Sequence, residues 1–203
     1  MKTFEDRHPL AIRWFHWVNF PVLGVMIWSG LLIYWANDVY RVGIGGSTLF
    51  KFFPDSFYFV FNIGFRLAEG MAWHFTFMWL FAVNGVLYVA YTILSGEWRY
   101  LFPNRSQGKF NVAQQFAYTG IILMGAGSVV TGLAIYKPTQ IAWLTWLLGG
   151  YQVARFEHFC LTIGYILFFL VHIVQVFRAG WNTLRGMITG YEIVETGKVP
   201  HDG

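Results

Sequence analysis

The sequence has little charge and almost no cysteine. Only 12% of its 203 residues are Asp, Glu, Lys or Arg, against about 25% in soluble domains. Because 56% of the residues are hydrophobic and 21% aromatic, an integral membrane protein is indicated. The lone Cys160 excludes an internal disulfide, and the absence of C-x-x-C-H excludes a covalently attached c-type haem. The formal charge of +4 comes from Lys and Arg scattered over loops, without the basic run of a nucleic-acid-binding chain.

Four apolar segments are long enough to cross a bilayer, which takes about 20 residues. They cover residues 14–36, 71–94, 112–136 and 155–178. The first apolar run is too long for a signal peptide and lacks a small-x-small cleavage site, so we expect it to be retained as a span. The sequence therefore predicts an all-α integral membrane protein, one membrane domain over residues 1–203 built as a four-transmembrane-helix bundle. No internal repeat is evident.

The connection 37–70 is long and rich in aromatic residues. Its stretch from Phe50 to Phe65 is apolar, but Lys51 and Pro54 interrupt it, so we expect an interfacial or re-entrant helix at the membrane surface rather than a fifth span. It is a candidate docking platform or a cap over a buried cofactor. The tail 179–203 is polar and basic and is expected outside the membrane.

The distribution of Lys and Arg predicts the orientation. Nine of them fall on the side of the N-terminus, the 95–111 loop and the C-terminus, and five fall on the other side. Because positive loops stay inside, both termini are expected in the cytoplasm.

Four histidines lie at membrane depth. His158 and His172 are 14 residues apart, which is about 21 Å of rise and about 40° short of four helical turns. His16, at the inner start of the first span, can meet His172. His74, at the outer start of the second span, can meet His158. The alternative is that each is an ordinary hydrogen-bonded residue at the headgroup level.

Two imidazoles at each face favour haem over other metal sites. Imidazole binds zinc, copper and iron, but a zinc or copper site needs further ligands, and only Glu69 and Glu157 lie near the outer pair. Haem needs only axial ligands, so bis-histidine haem b fits both faces and suits electron transfer. In the third span Gly120, Gly125, Gly127 and Gly132 form a slim face that a helix or a flat macrocycle could approach.

The chain resembles the bacterial cytochrome b561 family, which includes the cytochrome b subunits of nickel-iron hydrogenase, formate dehydrogenase and thiosulfate reductase. The resemblance runs from Arg7 to about Arg185. It rests on R-W-F-H-W near the start, the histidine that opens the second span, G-K-F-N-V-A-Q-Q at 108–115, and R-F-E-H followed by V-H in the fourth span.

The resemblance implies two b haems, with His16 and His172 on the inner one and His74 and His158 on the outer one. It also implies a quinone site by the inner haem, near the polar residues Lys109, Asn111, Gln114 and Gln115 and the neighbouring Phe110. From the residues alone, these polar groups could hydrogen-bond a quinone carbonyl, and Asn111 could equally cap the helix.

Four arginines are candidate contacts of haem propionates: Arg13 and Arg178 inside, and Arg66 and Arg155 outside. Snorkelling to the interface is the alternative for each of them.

The function expected is that of a di-haem b subunit in the bacterial inner membrane. It would carry electrons between the quinone pool and a periplasmic redox partner, either a molybdenum enzyme, a hydrogenase or a c-type cytochrome, with quinone reduction or quinol oxidation at the inner haem. One alternative is a self-contained quinol oxidase-like cytochrome b that reacts with a small oxidant such as superoxide. Another is a haem-free anchor or transporter whose histidines relay protons.

Overall fold

The computed structural model describes residues 2–35, 41–44, 47–51, 53–101 and 112–195. Within them lie eight helices and four strands. In chain order these are β1 Lys2–Asp6, α1 Leu10–Trp35, β2 Arg41–Ile44, β3 Ser47–Lys51, α2 Asp55–Val60, α3 Leu67–Ser95, α4 Trp98–Leu101, α5 Val112–Tyr136, α6 Ala142–Leu147, α7 Tyr151–Ala179, α8 Trp181–Thr189 and β4 Tyr191–Glu195.

Four of the described helices, α1, α3, α5 and α7, are long and apolar enough to cross a membrane. They contain 26, 29, 25 and 29 residues, or about 38–44 Å of helix, which exceeds a hydrocarbon core of about 30 Å. Large apolar side chains such as Val86 and Phe177 remain exposed on their outer faces, as expected where lipid is the solvent. The chain is therefore a multi-pass membrane protein, and the predicted four-helix bundle is confirmed.

The bundle consists of two helix pairs, α1 with α3 and α5 with α7. In the first pair the backbones come very close, since a Cβ placed on Gly70 of α3 would lie 2.7 Å from the Cβ of Leu32 on α1. Aromatic rings join the two pairs, with Tyr34 of α1 stacked on Phe159 of α7 at 4.6 Å. These ring contacts leave room between the pairs for the site described below.

The structure reveals an internal repeat that the sequence analysis did not detect. Residues 29–34 of α1 read S-G-L-L-I-Y and residues 131–136 of α5 read T-G-L-A-I-Y, while α3 and α7 each carry His-Phe at 74–75 and 158–159. Equivalent residues make equivalent contacts, because the stacking of Tyr34 on Phe159 is matched by the contact of Tyr136 with Phe75 at 5.1 Å. The two helix pairs are thus related by an approximate two-fold repeat.

The connection between α1 and α3 contains a hairpin and a short helix. Phe50 and Lys51 belong to β3, which pairs with β2 as an antiparallel hairpin, and Pro54 forms the N-cap of the six-residue helix α2. The helix expected between Phe50 and Phe65 is therefore present but shorter than that stretch, since proline at position 54 begins a helix instead of continuing one. Tyr58 of α2 packs with Leu32 in a buried cluster, so this segment covers the outer end of α1.

The first and last described strands pair with each other. Strand β1 pairs antiparallel with β4, from Lys2 opposite Glu195 to Asp6 opposite Tyr191. Arg13 Nη1 of α1 donates to Ile188 O of α8 at 2.7 Å, and Trp17 Nε1 donates to the neighbouring Met187 O at 3.1 Å. Helix α8 and both terminal strands therefore lie at the same end of the bundle.

Candidate functional site

The first site, called the outer site after its predicted orientation, is built from His74 on α3 and His158 on α7. Their ring centroids are 6.2 Å apart, with 74° between the ring planes. Ser29 Oγ of α1 lies 3.0 Å from His74 Nδ1, and Thr131 Oγ1 of α5 lies 2.8 Å from His158 Nδ1. The two hydroxyl residues occupy the same position of the repeat, so each helix pair supplies one imidazole and the hydroxyl that holds it.

Each hydroxyl beside an outer imidazole also has a backbone carbonyl within hydrogen-bond distance. Ser29 Oγ lies 3.2 Å from Met26 O, and Thr131 Oγ1 lies 2.7 Å from Gly127 O. Because a hydroxyl has a single proton, a hydroxyl that donates to its carbonyl accepts from the histidine, which then carries its proton on Nδ1. The lone pair of Nε2 is then left free on each ring, and this is the form that binds a metal ion.

A cavity of about 600 Å³ surrounds the outer pair. Both imidazoles line it, together with Gly30, Gly132 and Arg155. A Cβ on Gly30 would lie 3.7 Å from His74 Cε1, and one on Gly132 would lie 3.5 Å from His158 Cε1. Each ring edge therefore rests against a glycine of the repeat, and the space between the helix pairs stays open to a large, flat and mostly apolar ligand.

The inner site is built from His16 on α1 and His172 on α7. Their ring centroids are 6.1 Å apart, with 57° between the planes. Phe168 stacks on His172 at 5.9 Å and 5°, and Trp17 meets His16 edge-on at 5.1 Å. Among the described residues, no hydrogen-bond partner is found for the buried His16 Nδ1. The inner pair is thus held by aromatic packing where the outer pair is held by hydroxyls.

The repeat explains why the inner site occurs once. The positions equivalent to His16 and His172 are Tyr118 and Tyr88, which lie within electrostatic range of one another. At the outer end, His74 and His158 occupy the same position of the repeat. The repeated position therefore supplies both imidazoles of one site, one from each helix pair. Four histidines therefore form two sites in a two-fold repeated bundle.

Both pairs have the spacing that a shared iron requires. Imidazole nitrogen bonds such metals at about 2.0 Å, and each nitrogen lies about 1.1 Å from its ring centre, so two axial imidazoles have centres about 6.2 Å apart. The observed 6.1 and 6.2 Å agree. The described residues contain no cluster of three or more His, Cys, Asp or Glu that could hold a metal by themselves. The side chains present thus fit a porphyrin iron, which needs only two protein ligands.

The predicted propionate contacts lie in different surroundings. Arg155 lines the outer cavity and its Nη1 donates to Gln152 Oε1 at 3.2 Å. Arg66 forms a two-point ion pair with Glu69, and this hydrogen bonding raises the pKa of its guanidinium. Arg13 is engaged by α8, as described above, and Arg178 is exposed in the last turn of α7. Arg155 is therefore the arginine that the structure brings to the outer site, and the propionate contacts themselves stay a prediction.

The predicted quinone residues are described only in part. Lys109, Phe110 and Asn111 lie outside the described residues. Gln115 is 1% exposed and Gln114 is exposed, both in the first turn of α5. The buried amide of Gln115 is thus at the inner end of the bundle, where the quinone site was expected.

Sequence reasoning missed Ser29 and Thr131. The signal was present in the two segments that read [ST]-G-L-x-I-Y. It was hidden because these six positions are surrounded by apolar residues that differ between the halves.

Four spanning helices that hold facing imidazole pairs define the class of integral membrane cytochromes b. Residues 7–190 match the family model described as prokaryotic cytochrome b561, and the chain belongs to this family. Haem b is the cofactor that membership implies. The chain is also 32% identical to a protein of Azospira oryzae with the provisional name protein-methionine-sulfoxide reductase subunit YedZ1, over 91% of this chain and 96% of that relative. No solved structure matches the chain.

Proposed function

We propose that this chain is the di-haem b subunit that carries electrons across the bacterial inner membrane, between the quinone pool and a periplasmic oxidoreductase. His16 and His172 are the axial ligands of the inner haem, and His74 and His158 those of the outer haem. The observation that carries the proposal is the pair of imidazole spacings, 6.1 and 6.2 Å, at two levels of one bundle. Bound haem would supply reversible one-electron chemistry between ferric and ferrous iron.

The protein's own groups hold the cofactors and exclude competing reactions. Two imidazoles at each level would both bind the iron of a haem held there, and would leave no open iron position for oxygen or another small ligand. The outer cavity is lined mainly by apolar side chains such as Leu23, Ile27 and Phe81, and these exclude water. On α7 the two axial histidines are 14 residues apart, about 21 Å of helix rise, so this one helix connects both sites.

The named relative favours one direction and one partner. A sulfoxide that is reduced takes up two electrons and two protons and loses its oxygen as water, and a quinol that is oxidised releases two electrons and two protons. Electrons would therefore pass from quinol at the inner site to the outer site, and then to a subunit that reduces methionine sulfoxide. The sequence left three partner classes open: a molybdenum enzyme, a hydrogenase and a c-type cytochrome. The relative's name refers to a reductase and to neither of the last two classes, so it supports a reductase as the partner.

The orientation belongs to the same proposal. The paired strands β1 and β4 lie at one end of the bundle, and the Lys and Arg distribution supports a cytoplasmic location for that end. His16 and His172 then lie at the cytoplasmic level, near Gln115, and His74 and His158 lie at the periplasmic level.

The test is haem counting in site variants. The wild-type chain, purified in detergent, is expected to contain about two b haems by pyridine haemochrome. His74→Ala and His16→Ala should each remove one, because each breaks a different pair, while His8→Ala, outside the spans, serves as the matched control and should keep both. A colourless wild-type protein would refute the proposal and favour the haem-free anchor or transporter. Superoxide-dependent quinol oxidation by the purified chain alone would favour the self-contained enzyme.

A further inference from the structure

We propose that Ser29 and Thr131 are positioning residues for the outer haem, and that they lower its midpoint potential by holding His74 and His158 as Nδ1–H tautomers. This inference rests on the proposed function, since it requires haem at the outer pair. It gives a role at the outer site to two further residues. They lie on α1 and α5, the two spanning helices that carry neither His74 nor His158.

The local geometry leaves each hydroxyl one role toward its imidazole. The Thr131 proton is directed to Gly127 O at 2.7 Å, and the same oxygen lies 2.8 Å from His158 Nδ1. Ser29 repeats the arrangement, with 3.2 Å to Met26 O and 3.0 Å to His74 Nδ1. With its proton on that carbonyl, the oxygen accepts from Nδ1–H in both halves of the repeat.

Burial makes these acceptors hard to replace. Ser29 is 0% exposed and Thr131 is 4% exposed, so water has little access to the Nδ1 edge of either ring. The glycine after each hydroxyl residue, Gly30 or Gly132, lies against the same ring edge. An Nδ1–H deprived of its acceptor would thus be left buried and unsatisfied, which is costly.

The effect on potential follows from ligand basicity. A hydrogen bond accepted from the second nitrogen of a ligating histidine fixes the ring and makes its metal-binding nitrogen a stronger donor. A stronger donor stabilises ferric over ferrous iron, which lowers the potential. At the inner pair, His16 Nδ1 has no such acceptor among the described residues. The hydroxyls therefore act on the outer site alone.

The experiment is a potentiometric titration of Ser29→Ala, Thr131→Val and the double variant, with low-spin EPR of the ferric protein and haem counted per chain. Ser29→Thr and Thr131→Ser keep the oxygen. Thr76→Val is the matched control, because Thr76 is on the same helix as His74 and donates to Ala72 O at 2.8 Å but does not line the cavity.

We expect the outer haem to titrate at a more positive potential in both hydroxyl-free variants, and further so in the double variant. A tenfold loss of ferric preference corresponds to about 59 mV. The inner potential, and both potentials in the conservative variants and in Thr76→Val, should stay at wild-type values.

Four other outcomes are decisive. A double variant with two haems and unchanged potentials and EPR would overturn the inference and leave the proposed function intact. Loss of the outer haem from the hydroxyl-free variants, with retention in the conservative ones, would support it. Loss from the conservative variants as well would overturn it, because the role would then be packing. A wild-type chain without outer haem would instead refute the proposed function.

Discussion

Replacing Gly70 by alanine should separate the two helices that build half of the outer site. The added Cβ would lie 2.7 Å from Leu32 Cβ, 3.1 Å from Ser29 O and 3.2 Å from Ile33 N. Carbon atoms pack best at about 3.5–4.0 Å, so α1 and α3 must move apart by roughly 1 Å. Overpacking of this kind costs about 1–3 kcal/mol, against a gain in helix propensity of up to about 1 kcal/mol.

The movement should also weaken the hydrogen bond between Ser29 and His74, because Ser29 O is one of the atoms displaced. Overpacking less the gain in helix propensity leaves a net cost of roughly 1–2 kcal/mol, and each kcal/mol lowers the unfolding temperature of a domain of this size by about 2–4 °C. We therefore expect Gly70→Ala to unfold roughly 2–8 °C below the wild type and to lose part of its outer haem. The assay is thermal unfolding in detergent, followed by the haem band and by tryptophan fluorescence.

Gly85→Ala on the same helix is the matched control, since nothing lies within 4 Å of its added Cβ, and it should be neutral or slightly stabilising. At the position equivalent to Gly70 the other half carries Ala154, fully buried in a cluster with Ala134, so α5 and α7 already accommodate a methyl group. If Gly70→Ala matched Gly85→Ala in both unfolding and haem content, the close approach of α1 and α3 would be refuted.

Three further predictions concern the site and the orientation. In Gly132→Leu the new side chain should extend into the outer cavity beside His158 and lower the haem content from about two to about one per chain. Gly120→Leu, whose Cβ meets nothing within 4 Å, should keep both haems. Equal haem content in the two variants would contradict the cavity assignment. Arg155→Gln removes a positive charge from the cavity lining and should shift the outer midpoint potential downward, because ferrous haem loses a favourable field. Arg66→Gln should shift this potential less, because Arg66 is not among the residues that line the cavity. Green fluorescent protein fused after Gly203 should fluoresce, and alkaline phosphatase fused there should be inactive; the reverse result would place the termini in the periplasm.

The spans, the histidine depths and the pairing of His16 with His172 and His74 with His158 could be predicted from the sequence. Each depends on hydropathy and on rise along one helix, which are local properties. The helix expected between Phe50 and Phe65 is present as α2, but the hairpin before it was not predicted, because aromatic β-hairpins and interfacial helices share a composition. The pairing of β1 with β4 was missed because these two strands are nearly the whole chain apart.

The sequence by itself thus determined a four-span membrane protein with two imidazoles at each face, since length, apolarity and spacing suffice for that. Only the tertiary structure decided which groups hold those imidazoles. Ser29 is 45 residues from His74, and Thr131 is on a different span from His158. Whether a hydroxyl meets a ring nitrogen depends on how each helix is rotated about its axis and how closely it packs, as Gly70 against Leu32 shows. That rotation is set by contacts between helices, which no single span encodes.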